Sequence, residues 1–96
     1  MESRIQSLRT RLADSGCEAF VSFSAATNQW LSGFRGSTSA IIVTQSDAIF
    51  LNDFRYTEQA ASQVKGFTLL EVPGNIQVRA GEKLVSLGAA SVAFEP

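Results

Sequence analysis

Two short apolar runs, rich in β-branched residues and separated by three polar residues, constrain the fold of this chain most strongly. Residues 40–44 and 48–51 form the runs, and Gln45-Ser46-Asp47 connects them. Runs of this length and composition favour strands, and a three-residue connection favours a β-hairpin. The rest of the chain must therefore supply the layers that cover a small sheet.

Helical and strand patterns alternate around the hairpin. Ser3 and Gln6 form a capping-box pattern and Gly16 supplies a left-handed stop, which predicts an amphipathic helix over residues 4–15. We further predict strands over 19–23, 67–72 and 91–94, a loop carrying a short helical turn over 24–32, a glycine turn over 33–37, a helix from Asp53 to Gly66 and a helix within 76–87. The order α-β-β-β-α-β-α-β predicts an α/β fold, a three-layer mixed β-sheet with helices on both faces.

Histidine and cysteine are too rare in this chain for several common kinds of catalytic or metal site. The 96 residues include no histidine and one cysteine, Cys17. This excludes the Ser-His-Asp triad, the Cys-His pair, an intrachain disulfide and a cysteine-based zinc site. A net charge of −1 argues against nucleic-acid binding. The start of the chain lacks a secretory-signal pattern, and its longest apolar run is far short of the ~20 residues of a membrane span, so we expect a cytoplasmic protein.

Two polar segments flank the hairpin and are the candidates for a binding surface. Arg35 lies before the first strand, between two glycines, and Asp53, Arg55 and Tyr56 follow the second strand. The glycines are not followed by the Lys of a phosphate-binding loop. In one interpretation these residues are structural: Asp53 caps the following helix and Tyr56 packs against the core. Alternatively, the hairpin brings Arg35 and Arg55 to one rim of the sheet with Trp30, a surface for an acidic or peptide-like ligand. No catalytic constellation emerges.

The order of these motifs resembles the N-terminal domain of Xaa-Pro aminopeptidases, Xaa-Pro dipeptidases (prolidases) and creatinase. The matching segments are NQWLSGFRGS at 28–37, DFRYTEQA at 53–60 and VAFE at 92–95, after an opening helix of the R-x-x-x-L type. The family pattern runs N-x-x-Y-L-x-G-F-x-G-S, then T-D-x-R-Y-x-x-Q-A. Here Trp30 stands for the common Tyr, Asn52 for Thr, and Phe54 for a small residue.

The resemblance implies a function for the whole chain. Residues 1–96 would be a single N-terminal non-catalytic domain with a ribonuclease H-like motif, ending near the domain's C-terminal end. A separate pita-bread catalytic domain would hold two divalent metal ions, and this chain would hold no cofactor. The full-length protein would be a homodimer that cleaves short proline-containing peptides. The residues expected to face the partner subunit's active site are Trp30, Arg35, Asp53, Arg55 and Tyr56.

Two other classes of function stay open at this point. One is an interaction module of a catalytically inactive peptidase-like protein, since related domains occur in such proteins. The other is a free-standing small α/β ligand-binding domain. The sequence that follows Pro96 would discriminate them, because intact metal ligands indicate an enzyme, lost ligands a binding protein, and a stop codon a free-standing domain.

Overall fold

A computed structural model describes residues 3–96 of the chain. Its elements are α1 (Arg4–Ser15), β1 (Ala19–Ser22), α2 (Ala25–Ser32), β2 (Ala40–Thr44), β3 (Ala48–Asn52), a single 3-10 turn (Phe54–Tyr56), α3 (Thr57–Gln63), β4 (Thr68–Glu71), α4 (Ile76–Ser86) and β5 (Val92–Glu95). The helix ends follow local chemistry, since the Ser3 hydroxyl accepts the Gln6 N–H and Gly16 ends α1 at φ 75°.

The predicted hairpin forms the middle of a five-stranded mixed sheet of order β4-β3-β2-β1-β5. β2 is antiparallel to β1 and β3, whereas β4 and β5 add in parallel to β3 and β1. The three-residue connection closes through the Thr44 N–H, which donates to the Asp47 carbonyl at 2.9 Å. The carboxyl ends of β1, β3, β4 and β5 therefore share one edge with the start of β2. We call this the upper edge.

Helices cover both faces of the sheet, which confirms the predicted three-layer architecture. Side chains alternate along the strands, so β2 sends Ile41 and Val43 to one face and Ile42 to the other. The face covered by α1, α2 and α3 buries Leu12, Leu31, Phe34, Ile41, Val43, Phe50 and Ala60. The face covered by α4 buries Val21, Ala40, Ile42, Ile49, Leu51, Val72, Ile76 and Ala80. These two clusters fix the strands beneath the loops of the upper edge.

The loop predicted over residues 24–32 is wrong in one respect, because most of it is a regular helix. The Ser24 hydroxyl caps α2 by accepting the Thr27 N–H, and Gly33 ends it with φ 88°. Hydrophobic periodicity does not reveal this helix, because the polar residues Asn28 and Ser32 occupy buried positions beside Leu31. The helix predicted from Asp53 also begins differently, with the 3-10 turn preceding α3.

The β5 edge of the sheet carries exposed apolar side chains. Phe94 is 61% exposed and Val92 39% exposed, on the face that α4 covers elsewhere. Phe94 packs against Phe23 with 5.8 Å between ring centroids. The Glu95 carboxylate accepts the Thr27 hydroxyl at 2.6 Å, which ties the end of β5 to α2.

Candidate functional site

The segment after β3 is ordered by one bidentate ion pair. Asp53 Oδ1 accepts the backbone N–H of Arg55 at 2.9 Å and its Nε at 3.0 Å, while Oδ2 accepts Nη2 at 2.8 Å. The predicted capping role of Asp53 is thus present, although it caps the 3-10 turn. We call residues 53–56 the Asp53 turn. Asp53 therefore occupies the Nε–Nη2 edge of the Arg55 guanidinium and neutralises its charge.

The ion pair also sets the charge of the Asp53 turn. The side-chain hydrogen bond from Arg55 is the main cause that lowers the pKa of the Asp53 carboxyl below its ordinary 3.8. The same bond raises the pKa of the Arg55 guanidinium. Both groups are therefore charged at neutral pH, and the turn presents a neutralised pair to solvent.

The two segments that flank the hairpin meet through aromatic side chains, as the hairpin geometry predicts. Phe34 is fully buried, and its ring packs edge-on against Tyr56 with 6.0 Å between centroids. The Arg55 guanidinium lies 5.2 Å from the centroid of the Tyr56 ring. Phe34 also packs against Phe50 of β3 at 4.9 Å. Phe34, which precedes Arg35, and Tyr56, which follows Arg55, thus belong to one packed cluster at the upper edge.

Residues 33–37, which we call the Arg35 loop, are held by α3. The Arg35 N–H donates to Gln63 Oε1 at 2.8 Å, and Gln59 Nε2 donates to the Arg35 carbonyl at 2.7 Å. Arg35 itself is exposed, and its guanidinium has no hydrogen-bond or ion-pair partner within residues 3–96. The loop therefore presents one unpaired positive charge from a fixed backbone.

The two glycines of the Arg35 loop are required for different reasons. Gly33 adopts φ 88°, a left-handed conformation that ends α2, and a Cβ there would lie 2.9 Å from the Gln63 carbonyl oxygen. Gly36 has no positive φ, but a Cβ on it would lie 2.3 Å from Cε2 of Phe34. Gly36 is therefore required because any side chain would clash with the buried Phe34 ring, and not because of a turn conformation.

Trp30 lies apart from the Asp53 turn, in a groove of about 410 Å³ between α1, α2 and the connection from α3 to β4. Its side chain is 55% exposed, and the Arg4 guanidinium lies 4.8 Å from the ring centroid. Arg4 Nη1 also donates to the Trp30 carbonyl at 2.5 Å. Gly33 and Gln63 line the same groove, so Trp30 adjoins the base of the Arg35 loop.

Four residues that shape this region were not among the candidates from sequence. Gln59 and Gln63 resemble solvated helix residues, but their spacing of four signals a shared face, and Gln59 also stands at the Gln of the family pattern. Phe54 is 76% exposed beside the Asp53–Arg55 ion pair, and the sequence marks it by placing Phe where the family pattern has a small residue.

Asn28 is the fourth of these residues. It is fully buried, and its Nδ2 donates to Ser22 and Ser39 across the upper edge. Its Oδ1 has no partner in the part of the chain that the structure describes.

The metal ions that the resemblance implies would be held by a separate catalytic domain. Across residues 3–96, no group of three or more His, Cys, Asp or Glu side chains is arranged to hold a metal ion. No step of a metal-dependent reaction is therefore assigned to these residues. In the same range, no helix has both the length and the apolar character that crossing a membrane requires.

Comparison with known proteins gives consistent matches over nearly the whole chain. The family model of the Creatinase/Prolidase N-terminal domain matches residues 4–96. The uncharacterized peptidase YqhT of Bacillus subtilis (strain 168) is 32% identical over 92 residues, which are 96% of this chain and 26% of that protein.

Two solved structures extend the comparison. The Xaa-Pro dipeptidase from Bacillus anthracis superposes with a TM-score of 0.88 at 25% identity, over 95% of this chain and 26% of that one. The N-terminal domain of the cytoplasmic peptidase PepQ from Mycobacterium tuberculosis H37Rv gives a TM-score of 0.88 at 29% identity, over 96% of this chain and 72% of that one. The chain thus spans about a quarter of the length of YqhT and of the dipeptidase.

Proposed function

The chain belongs to the creatinase/prolidase N-terminal domain family, and from that premise we propose that it is the non-catalytic N-terminal domain of a Xaa-Pro metallopeptidase of the aminopeptidase P or prolidase type. In this proposal, catalysis and two divalent metal ions belong to a separate C-terminal domain of a longer cytoplasmic protein. The names of the relatives support the peptidase class. The quarter-length match to YqhT and to the dipeptidase supports a longer parent protein.

The role we propose for this domain is to help form a homodimer and to shape access to the partner subunit's active site. A short peptide substrate ends in a carboxylate, and a peptidase that prefers short peptides must recognise that end or exclude longer chains. A guanidinium binds a carboxylate with two parallel hydrogen bonds, which gives both energy and orientation. Arg35 and the Asp53 turn, together with Trp30 beside the loop, would form the surface that faces the partner.

The observation that carries this proposal is the contrast between the two arginines flanking the hairpin. Arg55 is bound to Asp53 in a bidentate pair, whereas the Arg35 guanidinium has no partner within residues 3–96. An exposed arginine on a fixed backbone is a suitable contact for a charged group of a ligand or of a second subunit. We therefore assign the contact with a substrate carboxylate or a partner acid to Arg35, and the stabilisation of the neighbouring turn to Arg55.

The experiment compares Arg35→Ala with Arg11→Ala in the full-length protein, using short X-Pro peptides as substrates. Arg11 is a suitable control because it is also an exposed arginine without a partner in the described residues, but it lies on α1. Loss of a charge-assisted hydrogen bond should raise KM on the order of tenfold for R35A and leave R11A at the wild-type value. Wild-type kinetics for R35A would remove the assignment.

The gene sequence beyond codon 96 tests the class of the parent protein separately. A downstream domain with intact Asp, His and Glu metal ligands supports the peptidase. Lost ligands would instead make this chain part of an inactive, partner-binding protein, and a stop codon would make it a free-standing domain.

A further inference from the structure

The backbone of Arg35 is held by two side chains of one helix. Gln59 and Gln63 are four residues apart on α3, so both lie on the face turned to the Arg35 loop. One supplies an acceptor for the Arg35 N–H and the other a donor for its carbonyl, and Gln59 Nε2 also donates to Gln63 Oε1 at 3.2 Å. Together they satisfy both backbone polar groups of a residue that belongs to no helix or strand.

The loop would be loosely held without these bonds. It contains two glycines, which give the backbone unusual freedom, and the chain does not enter β2 until Ala40. Phe34 anchors the loop on the side of α2, because its ring is buried against Phe50 and Tyr56. On the other side of Phe34, the Arg35 N–H donates to Gln63 and the Arg35 carbonyl accepts from Gln59.

We propose that Gln59 and Gln63 are positioning residues that fix the Arg35 backbone, so that its guanidinium is presented to a carboxylate, and thereby raise the affinity for short peptides. This inference rests on the proposed function of Arg35. A flexible arginine must lose backbone and side-chain freedom when it binds, and that cost reduces its affinity. The two glutamines remove the backbone part of the cost before any ligand arrives.

The side-chain amides of Gln59 and Gln63 play different hydrogen-bonding roles, so the same substitution has different effects at the two positions. At position 63 the loop needs an acceptor, which a carboxylate also provides, so Gln63→Glu should keep the bond to the Arg35 N–H. At position 59 the loop needs a donor, so Gln59→Glu removes the bond and places a carboxylate against the Arg35 carbonyl. A general loss of helix stability would not distinguish these two variants.

The first experiment measures hydrogen exchange of the Arg35 amide in the 96-residue chain. Gln63→Ala should speed exchange about fivefold or more, since it removes the acceptor, whereas Q63E should retain protection. Gln77→Ala is the matched control, an exposed glutamine on α4. Exchange at the wild-type rate in Q63A would overturn the proposal.

The second experiment is a double-mutant cycle in the full-length peptidase. Replacing both glutamines by Ala should raise KM about tenfold with kcat nearly unchanged, and should have no further effect in the R35A background. Additive effects, with R35A itself raising KM, would overturn this inference alone. A wild-type KM for R35A would overturn the proposed function and this inference with it, whatever the amide exchange shows.

Discussion

Replacing Gly36 by Ala should destabilise the chain although its backbone conformation accepts alanine. Gly36 has no positive φ, so the substitution introduces no backbone strain. The new Cβ would lie 2.3 Å from Cε2 and 2.8 Å from Cζ of Phe34, well inside van der Waals contact. Phe34 is fully buried between the rings of Phe50 and Tyr56, which limits how far its ring can shift.

The size of the effect follows from the two ways in which the clash can be relieved. A small repacking of the ring costs about 1–3 kcal/mol, the usual range for overpacked cores. Expulsion of the ring approaches the ~3–5 kcal/mol of a Phe→Ala substitution. We expect the free energy of unfolding to fall by about 2–3 kcal/mol, since Gly36 lies at the loop end of the cluster where partial adjustment is easiest.

Urea denaturation of the 96-residue chain, followed by circular dichroism, measures this change. With a slope of about 1–1.5 kcal/mol per molar urea, the midpoint should fall by about 2 M. Gly81→Ala is the matched control, because its Cβ meets open space within α4 and alanine is favoured there by up to about 1 kcal/mol. A G36A midpoint equal to that of the wild type, with G81A stabilised, would refute the steric argument.

The remaining predictions concern the Asp53 turn and the activity of the isolated chain. The Asp53 carboxyl should titrate below 3.8 by NMR, and Arg55→Gln should return its pKa towards 3.8; a wild-type midpoint at 3.8 would contradict the ion pair. Because the folded-state pKa is the lower one, the pair stabilises the fold above pH 3.8 and loses that effect as the pH falls through the folded-state pKa. The purified 96-residue chain should cleave no X-Pro peptide with or without added divalent metal, and measurable turnover would contradict its assignment as a non-catalytic domain.

The parts of the fold that could be predicted are those in which local chemistry and tertiary packing agree. The hairpin follows from two β-branched runs and a short polar connection, and the end of α1 follows from Gly16. The helix α2 could not be predicted from hydrophobic periodicity, because Asn28 and Ser32 lie on its buried side. The tertiary fold brings Ser22 and Ser39 to Asn28, and the Ser32 hydroxyl donates to the Asn28 carbonyl within α2.

The candidate site likewise has features that the sequence predicts and features that only the tertiary fold creates. The meeting of the Arg35 loop with the Asp53 turn follows from hairpin geometry alone, since a hairpin brings its two outer ends together. The pairing of Arg55 with Asp53 is a local contact between residues two apart, but the sequence does not show which of Arg35 and Arg55 is left unpaired. The roles of Gln59 and Gln63 depend on how α3 packs beside the loop, which periodicity does not reveal.

The parallel pairing of β1 with β5 has a consequence for the order in which this protein acquires its structure. Glu18 and Ser91, joined at the start of that pairing, are 73 residues apart in the chain. The antiparallel strands β1, β2 and β3 all lie within residues 19–52, so they can pair while later residues are still being synthesised. The pairing with β5 must wait until residues 92–95 have been synthesised and closes a long loop, which slows this pairing. Until residues 92–95 have been made, the edge of β1 that pairs with β5 is open to other chains, and mispairing is favoured during that period.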